Sequence, residues 1–105
     1  MLINLTPHSV TIYGNGPTVT VPPSGKVARC QAQRTWVDEI DGVPLYTIKY
    51  DEITGLPDPQ PFTLLIVSMI VRLAVPLRAD VVSPGEPVRN QDGQVIGCLG
   101  LNCNR

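Results

Sequence analysis

The sequence is poor in the residues and motifs that mark a catalytic site. It has one histidine, His8, and three cysteines among its 105 residues. It contains no G-x-S-x-G nucleophile elbow, no complete dinucleotide fingerprint and no Walker loop. Three cysteines are an odd number, so free thiols in a reducing compartment are expected rather than a disulfide framework. These absences argue against a nucleophilic or cofactor-dependent enzyme, and we expect no cofactor.

A large charge imbalance and a long hydrophobic run are also absent. The 8 basic and 9 acidic side chains leave a formal net charge of -1, which argues against a nucleic-acid surface, where basic residues cluster. The longest apolar run, residues 62–77, is shorter than the ~20 residues of a spanning helix and is interrupted by Arg72 and Pro76. No charged and then apolar leader opens the sequence. We therefore expect a cytoplasmic protein without a membrane segment.

Proline, in contrast, is abundant. The 11 prolines are about twice the usual share of roughly 5%, and they exclude long helices because proline is not tolerated in helix interiors. Residues 62–68 are apolar on both faces, which indicates a strand buried on both sides. Alternating or apolar segments between turn residues predict strands at 9–13, 18–21, 26–33, 35–42, 44–50, 62–68, 79–83 and 94–101.

The connections complete this assignment. Turns are predicted at 14–16, 41–42, 83–87 and 90–93, and a proline-rich loop at 54–61. Ser68 is a suitable N-cap and Pro76 a suitable stop for a short helix at about 69–75. This spacing of strands predicts a mainly β fold, a compact antiparallel β-barrel or sandwich with one short helix, in a single domain over residues 1–105.

His8 belongs to the stretch NLTPH at residues 4–8, and two interpretations of it stay open. In the first, Pro7 sets the entry to the first strand and His8 hydrogen-bonds a neighbouring loop. In the second, the imidazole contacts a ligand. A zinc site formed by His8 and the three cysteines is not favoured, because zinc ligands usually come in closely spaced pairs and only one C-x4-C pair is present.

Several arginines lie in predicted strands and turns, where a fixed guanidinium suits the capture of phosphate or carboxylate. The Ser24-Gly25 turn adds backbone N–H groups that can cradle an anion, and four aromatic rings (Tyr13, Trp36, Tyr46 and Tyr50) are available to stack on a base. The predicted ligand-binding residues are His8, Ser24, Gly25, Arg29, Ser68, Arg78, Asp80 and Arg89. The alternative is that the arginines pair internally, Arg78 with Asp80 and Arg89 with Asp92.

The chain resembles a family of short proteins encoded by bacteriophages and prophages. The resemblance rests on NLTPH before a VTI strand, and on PPSGKVAR, GLPDPQPFTLLIVS and RADVVSPGEPVRNQDGQVIGC. These motifs are specific as a set and cover nearly the whole chain. The resemblance implies a phage context and the host cytoplasm, and it brings no functional residues with it. The stretch after GLP is more proline-rich here than is usual in that family.

These observations together predict a small binding protein. We expect it to sequester an anionic, nucleotide-type signal of bacterial immunity without turning it over, with a site completed by a homo-oligomer because the chain is too small to enclose a ligand alone. One alternative is a protein-interaction or virion-associated module that uses an exposed strand edge or the 54–61 loop. Another is a small nucleotide hydrolase that uses His8 with Asp80 or Asp92.

Overall fold

Eight strands and one short helix make up the chain in the computed structural model, which describes residues 1–105. The elements in chain order are β1 (Leu2–Asn4), β2 (Val10–Tyr13), β3 (Val19–Val21), β4 (Ala32–Ile40), β5 (Val43–Tyr50), β6 (Leu64–Ile66), α1 (Met69–Ala74), β7 (Val81–Arg89) and β8 (Val95–Cys103). The predicted mainly β fold with one short helix is confirmed. No helix in the structure has the length and apolar character needed to cross a bilayer.

Six of the strands form one sheet that curls into a nearly closed barrel. Their order is β1-β6-β7-β8-β2-β3. The β2–β3 and β7–β8 pairs are antiparallel, whereas β1–β6, β6–β7 and β2–β8 are parallel. The two edges approach each other where Asn4 bridges Pro23 and the Ser24 N–H donates to the Asn4 carbonyl at 3.0 Å. The sheet is therefore mixed, and β1, which was not predicted, forms one of its edges.

The core lies on both sides of β6, as the continuous apolar run predicts. Leu65 and Val67 face one cluster, which includes Val71 of α1. Ile66 faces the other cluster, inside the barrel, with Val82 of β7 among its neighbours. Because successive side chains of a strand point to opposite faces, one short segment supplies both halves of the core.

The predicted helix is confirmed, and both of its ends are capped. The Ser68 hydroxyl accepts a hydrogen bond from the Val71 N–H at 3.3 Å, the usual role of a serine N-cap. At the other end, the side-chain amide of Asn104 donates to the carbonyls of Arg72, Val75 and Arg78. The C-terminal segment thus holds α1 against the sheet.

Strands β4 and β5 form a separate two-stranded hairpin, called the arm below. They pair only with each other, around a turn in which Asp41 and Gly42 have φ of 52° and 78°, as expected for an Asp-Gly hairpin turn. Every residue from 31 to 52 is exposed. The Cα radius of gyration is 16.3 Å, against about 13 Å for a compact chain of this length. The predicted hairpin is confirmed, but it projects away from the barrel core.

The strand predicted at 26–33 is wrong for most of its length. Arg29 makes a single bridge to Thr54, and strand structure begins only at Ala32. The Ala28 N–H donates to the Leu5 carbonyl, whereas the Arg29 N–H donates to Thr54. Because Ala28 and Arg29 hydrogen-bond to different segments, residues 26–31 do not pair continuously with any one strand.

The turn predicted at 83–87 is also wrong, because these residues continue β7 beyond the short strand expected at 79–83. Beyond Val82, β7 has no neighbour on the side of β6, and proline is tolerated on such an open edge. Gly85 is needed for close approach: a Cβ there would collide with the backbone carbonyls of Leu99 and Gly100 on β8. Proline and glycine indicated a turn where the fold uses them within a strand.

Candidate functional site

The NLTPH segment is organised by the side chain of Asn4, which is 1% exposed. Its Nδ2 donates to the carbonyls of His8 at 2.8 Å and Val21 at 3.0 Å. Its Oδ1 accepts from the N–H of Thr6 at 2.9 Å. His8 therefore contributes its backbone carbonyl, while its side chain is exposed. Sequence analysis missed Asn4, although asparagine side chains commonly accept a hydrogen bond from the backbone N–H two residues on, as Asn4 does from Thr6.

Arg78 and Asp80 form the ion pair that the alternative of internal pairing predicted for them. Arg78 Nε and one Nη donate to the two carboxylate oxygens of Asp80, each at 2.8 Å, and the same Nη donates to the Pro57 carbonyl at 2.9 Å. This hydrogen bonding raises the pKa of Arg78 and lowers the pKa of Asp80, while partial burial opposes both shifts. The pair holds the 54–61 loop against the start of β7.

Two other arginines also make internal hydrogen bonds. Arg89 donates to the Gly93 carbonyl at 2.7 Å rather than pairing with Asp92. Arg72 donates to the buried Ser83 hydroxyl at 2.8 Å and to the Asn104 side chain at 3.1 Å. No hydrogen bond or ion pair joins His8 to Asp80, whose carboxylate is occupied by Arg78. These contacts do not assemble an acid–base pair.

Arg29 is the predicted arginine whose side chain makes no hydrogen bond or ion pair within the chain. It is exposed and lines two neighbouring depressions. One, of about 260 Å³, also contains the predicted Ser68 and the residue before His8; its lining is Pro7, Val27, Ala28, Arg29, Cys30, Gln31 and Ser68. The other, of about 530 Å³, adds two acidic residues; its lining is Arg29, Gln31, Asp51, Glu52 and Thr54. The structure thus brings Arg29 and Ser68 to one place.

The Ser24-Gly25 turn lies in a different depression. Its volume is about 500 Å³, and its lining includes Ser24, Lys26 and Gln60. The Ser24 hydroxyl accepts from the Lys26 N–H at 3.3 Å, and Gly25 has a φ of 93°. Lys26 is the cation of this depression and was not among the predicted residues. The eight predicted residues therefore do not line one common pocket.

Three of the four aromatic rings considered for base stacking lie on the arm. The Arg34 guanidinium lies 4.1 Å from the centre of the Tyr46 ring, a cation–π contact. Trp36 pairs with Tyr46, Arg34 with Ile48 and Glu39 with Pro44 across the ladder, and directly paired residues share a face. The aromatic face of the arm, as named from here on, consists of Arg34, Trp36, Glu39, Tyr46, Ile48 and Tyr50.

The cysteines and acidic residues do not form a metal centre. No group of three or more His, Cys, Asp or Glu side chains is placed to hold an ion. Cys30 donates to the Asp51 carbonyl at 3.2 Å and Cys98 to the Thr11 carbonyl at 3.6 Å, while Cys103 is exposed and unpaired. The thiols contribute packing and weak hydrogen bonds.

The site features of the chain are therefore an arm with an exposed aromatic face and a shallow depression that holds one free arginine. Comparison of the chain with protein-family models, with curated proteins and with solved structures finds no match.

Proposed function

We propose that this chain is a protein-docking module that binds through its β4–β5 arm. The observation that carries the proposal is the exposure of large apolar side chains along an element that no other part of the chain covers. Trp36, Tyr46, Ile48 and Tyr50 are 43–58% exposed. Contiguous apolar surface of this kind marks interaction sites in folded proteins.

The architecture of the arm supports the same function. A two-stranded hairpin is marginally stable in water, and it normally needs a third strand or a packed element on one face. The arm has neither within the chain. Tyrosine and tryptophan, moreover, are the residues that most often carry the binding energy of protein interfaces. A partner that covers the aromatic face would supply the missing packing.

Photo-crosslinking from two matched valines tests the proposal. Val37 on the arm and Val95 on β8 of the barrel are 50% and 57% exposed. Each is replaced in turn by the photo-reactive residue p-benzoylphenylalanine, and cells that produce the protein are irradiated. We expect a discrete protein adduct from position 37 and none from position 95. No adduct from position 37, or the same adducts from both positions, contradicts the proposal.

A second candidate function is the sequestration of a small anionic ligand at Arg29, and one observation favours it. Arg29 and Ser68 line the same 260 Å³ depression, which contains no acidic residue. An arginine free of internal partners can fork onto a phosphate, and a ligand of nucleotide type fits the phage context implied by the resemblance. A second copy of the chain would deepen this open depression into a pocket.

A thermal-shift panel tests this second candidate. The probes are cyclic dinucleotides, cyclic trinucleotides and ADP-ribose derivatives. A ligand at 100 times its Kd adds about 2.7 kcal/mol to the free energy of unfolding, a shift that Arg29→Ala abolishes and Arg89→Ala preserves if Arg29 is the contact. Recovery of the ligand intact from denatured protein supports sequestration, and altered ligand indicates an enzyme. A flat panel contradicts nucleotide binding.

A further inference from the structure

The two faces of the arm differ in chemistry near its root, where it joins the barrel. On the aromatic face, Tyr46, Ile48 and Tyr50 follow one another at every second position. On the opposite face, Thr35 pairs with Thr47 and Gln33 with Lys49. Because side chains alternate along a strand, this pattern is that of a sheet with one face prepared for burial and one for water. Towards the tip the opposite face also carries apolar residues, Ile40, Val43 and Leu45, but the aromatic rings and the contrast with a polar opposite face at the root favour the aromatic face as the one to be covered.

The aromatic face continues onto the helix. Tyr50 lies at the root of the arm, and together with Ile70, Leu73 and Ala74 of α1 it lines a depression of about 160 Å³ whose lining residues are all hydrophobic. The helix residues Met69, Ile70 and Leu73 are themselves exposed. The apolar surface thus extends from the middle of the arm to this shallow depression beside α1.

The aromatic face carries one positive and one negative residue, placed so that two copies of the face can pair opposite charges. Arg34 lies towards the root of the arm, and Glu39 lies towards its tip. Neither side chain has an ion-pair partner within the chain. Their partners on β5, Ile48 and Pro44, are four residues apart, so the two charges are separated by about 14 Å along the arm at ~3.4 Å per residue. The stacking of Arg34 on Tyr46 holds the guanidinium on this face while leaving its N–H groups free.

We infer that the aromatic face docks on the aromatic face of a second copy of this chain, with the two arms antiparallel about a two-fold axis near Trp36 and Tyr46. This inference rests on the proposed docking function and names its partner. In this arrangement, Arg34 of each copy lies opposite Glu39 of the partner subunit, so the dimer contains two pairs of opposite charges. The tip of each arm reaches the depression between Tyr50 and α1 at the root of the other arm. An interface in which the same patch serves both copies is the usual form of a homodimer.

The available surface is of the size that such a dimer needs. A standard interface removes about 800 Å² per partner. A fully covered aromatic side chain removes roughly 150–250 Å², and Trp36, Tyr46 and Tyr50 retain about half of their surface. Ile48, the aliphatic part of Arg34 and the exposed helix residues add the remainder. The arm alone is too small for the contact, which is why its continuity with α1 matters.

Charge reversal tests the pairing. Oligomeric state is measured by sedimentation velocity over a range of protein concentrations, for the whole chain and its variants. We expect the wild type to be a dimer, and each of Arg34→Glu and Glu39→Arg to raise the dimer Kd by at least about ten-fold, because each places two like-charge pairs in the interface. The double variant Arg34→Glu/Glu39→Arg restores dimerisation, since it exchanges the two charges. Lys49→Glu, on the opposite face, leaves the Kd unchanged.

The single tryptophan of the chain gives a second readout. In the dimer, Trp36 emission is blue-shifted and protected from iodide quenching, and dilution shifts it to the red. A wild type that stays monomeric, or a double variant no better than the single ones, overturns the inference. If the crosslink from position 37 then yields an adduct with a different protein, the docking function stands and only the second copy is wrong. If that crosslink also fails, both are wrong.

Discussion

The side-chain amide of Asn4 donates to the backbone carbonyl of His8 at 2.8 Å, and the same nitrogen donates to the Val21 carbonyl at 3.0 Å. Asn4 thereby ties the loop after β1 to the end of β3, at the place where the barrel closes. His8 therefore takes part in the loop structure through its backbone carbonyl, which accepts the hydrogen bond from Asn4. Its imidazole stays exposed beside this arrangement, free for a ligand or for solvent.

Replacing Asn4 should therefore damage the fold, and replacing His8 should not. We expect Asn4→Ala to lower the free energy of unfolding by about 2–3 kcal/mol, because it removes the side-chain donor to the Val21 carbonyl, one of two side-chain donors to the His8 carbonyl, and the acceptor of the Thr6 N–H. His8→Ala keeps the backbone carbonyl of residue 8, so it should change the free energy of unfolding by less than about 0.5 kcal/mol. Urea denaturation of both variants at one protein concentration measures the difference. Equal effects of the two substitutions contradict the structural role of Asn4.

The Arg78–Asp80 pair should make stability depend on acid pH. The pKa of Asp80 is lowered in the folded chain, so its contribution is present above the ordinary value of 3.8 and is lost as pH falls through the lower folded value. We expect Asp80→Asn to cost about 1–2 kcal/mol at pH 7 and progressively less below pH 3.8. The control is Asp92→Asn, since Asp92 has no ion pair. Denaturation curves from pH 7 to acid that keep a constant difference contradict the assignment.

Gly85 should be intolerant of any side chain. A Cβ at this position meets the carbonyls of Leu99 and Gly100, so we expect Gly85→Ala to lower the free energy of unfolding by about 2 kcal/mol or more through strand displacement. Gly14→Ala is the matched control, because nothing lies near a Cβ there. Thermal denaturation compares the two. A neutral Gly85→Ala would show that β7 and β8 are not packed this closely.

If the arm docks on a second copy of the chain, it should couple thermal stability to protein concentration. If two copies associate only when folded, the Tm rises with concentration. We expect that rise in the wild type and its absence in Trp36→Ser. Leu77→Ser removes a side chain that is 95% exposed and belongs neither to the arm nor to α1, and it should leave the rise intact. Scanning calorimetry over a wide concentration range provides the measurement, and a Tm independent of concentration in the wild type speaks against self-association.

Local features of the fold could be predicted from the sequence because their causes are local. The Asp41-Gly42 turn, the Ser68 cap and the Arg78–Asp80 pair each depend on residues within a few positions of one another. The barrel pairings could not be predicted in this way. The parallel contact of β1 with β6 joins distant segments, and the extension of β7 through Pro84 depends on β6 ending early beside it.

The candidate site shows the same division. Arg29 and Ser68 were predicted separately and meet only because the chain folds back between them. The alternating aromatic residues of the arm could be predicted from the sequence as one face of a hairpin. That this face is exposed could not be predicted. An apolar strand face usually indicates burial in the core of its own chain, and only the structure shows that no part of this chain covers it.

The separation along the chain between paired strands has a consequence for how the molecule forms. Thr11 and Cys98 are in contact across 87 residues, so the β2–β8 seam closes only after most of the chain has been made, and such distant pairings are slow. The arm is a local hairpin, which forms within about 1–10 μs. In newly made chains the hairpin of the arm therefore forms while the barrel is still open, although on its own it is only marginally stable. If two copies dock through their arms as we infer, such encounters can precede the completion of either subunit, and chain topology as well as affinity would then set the order of assembly.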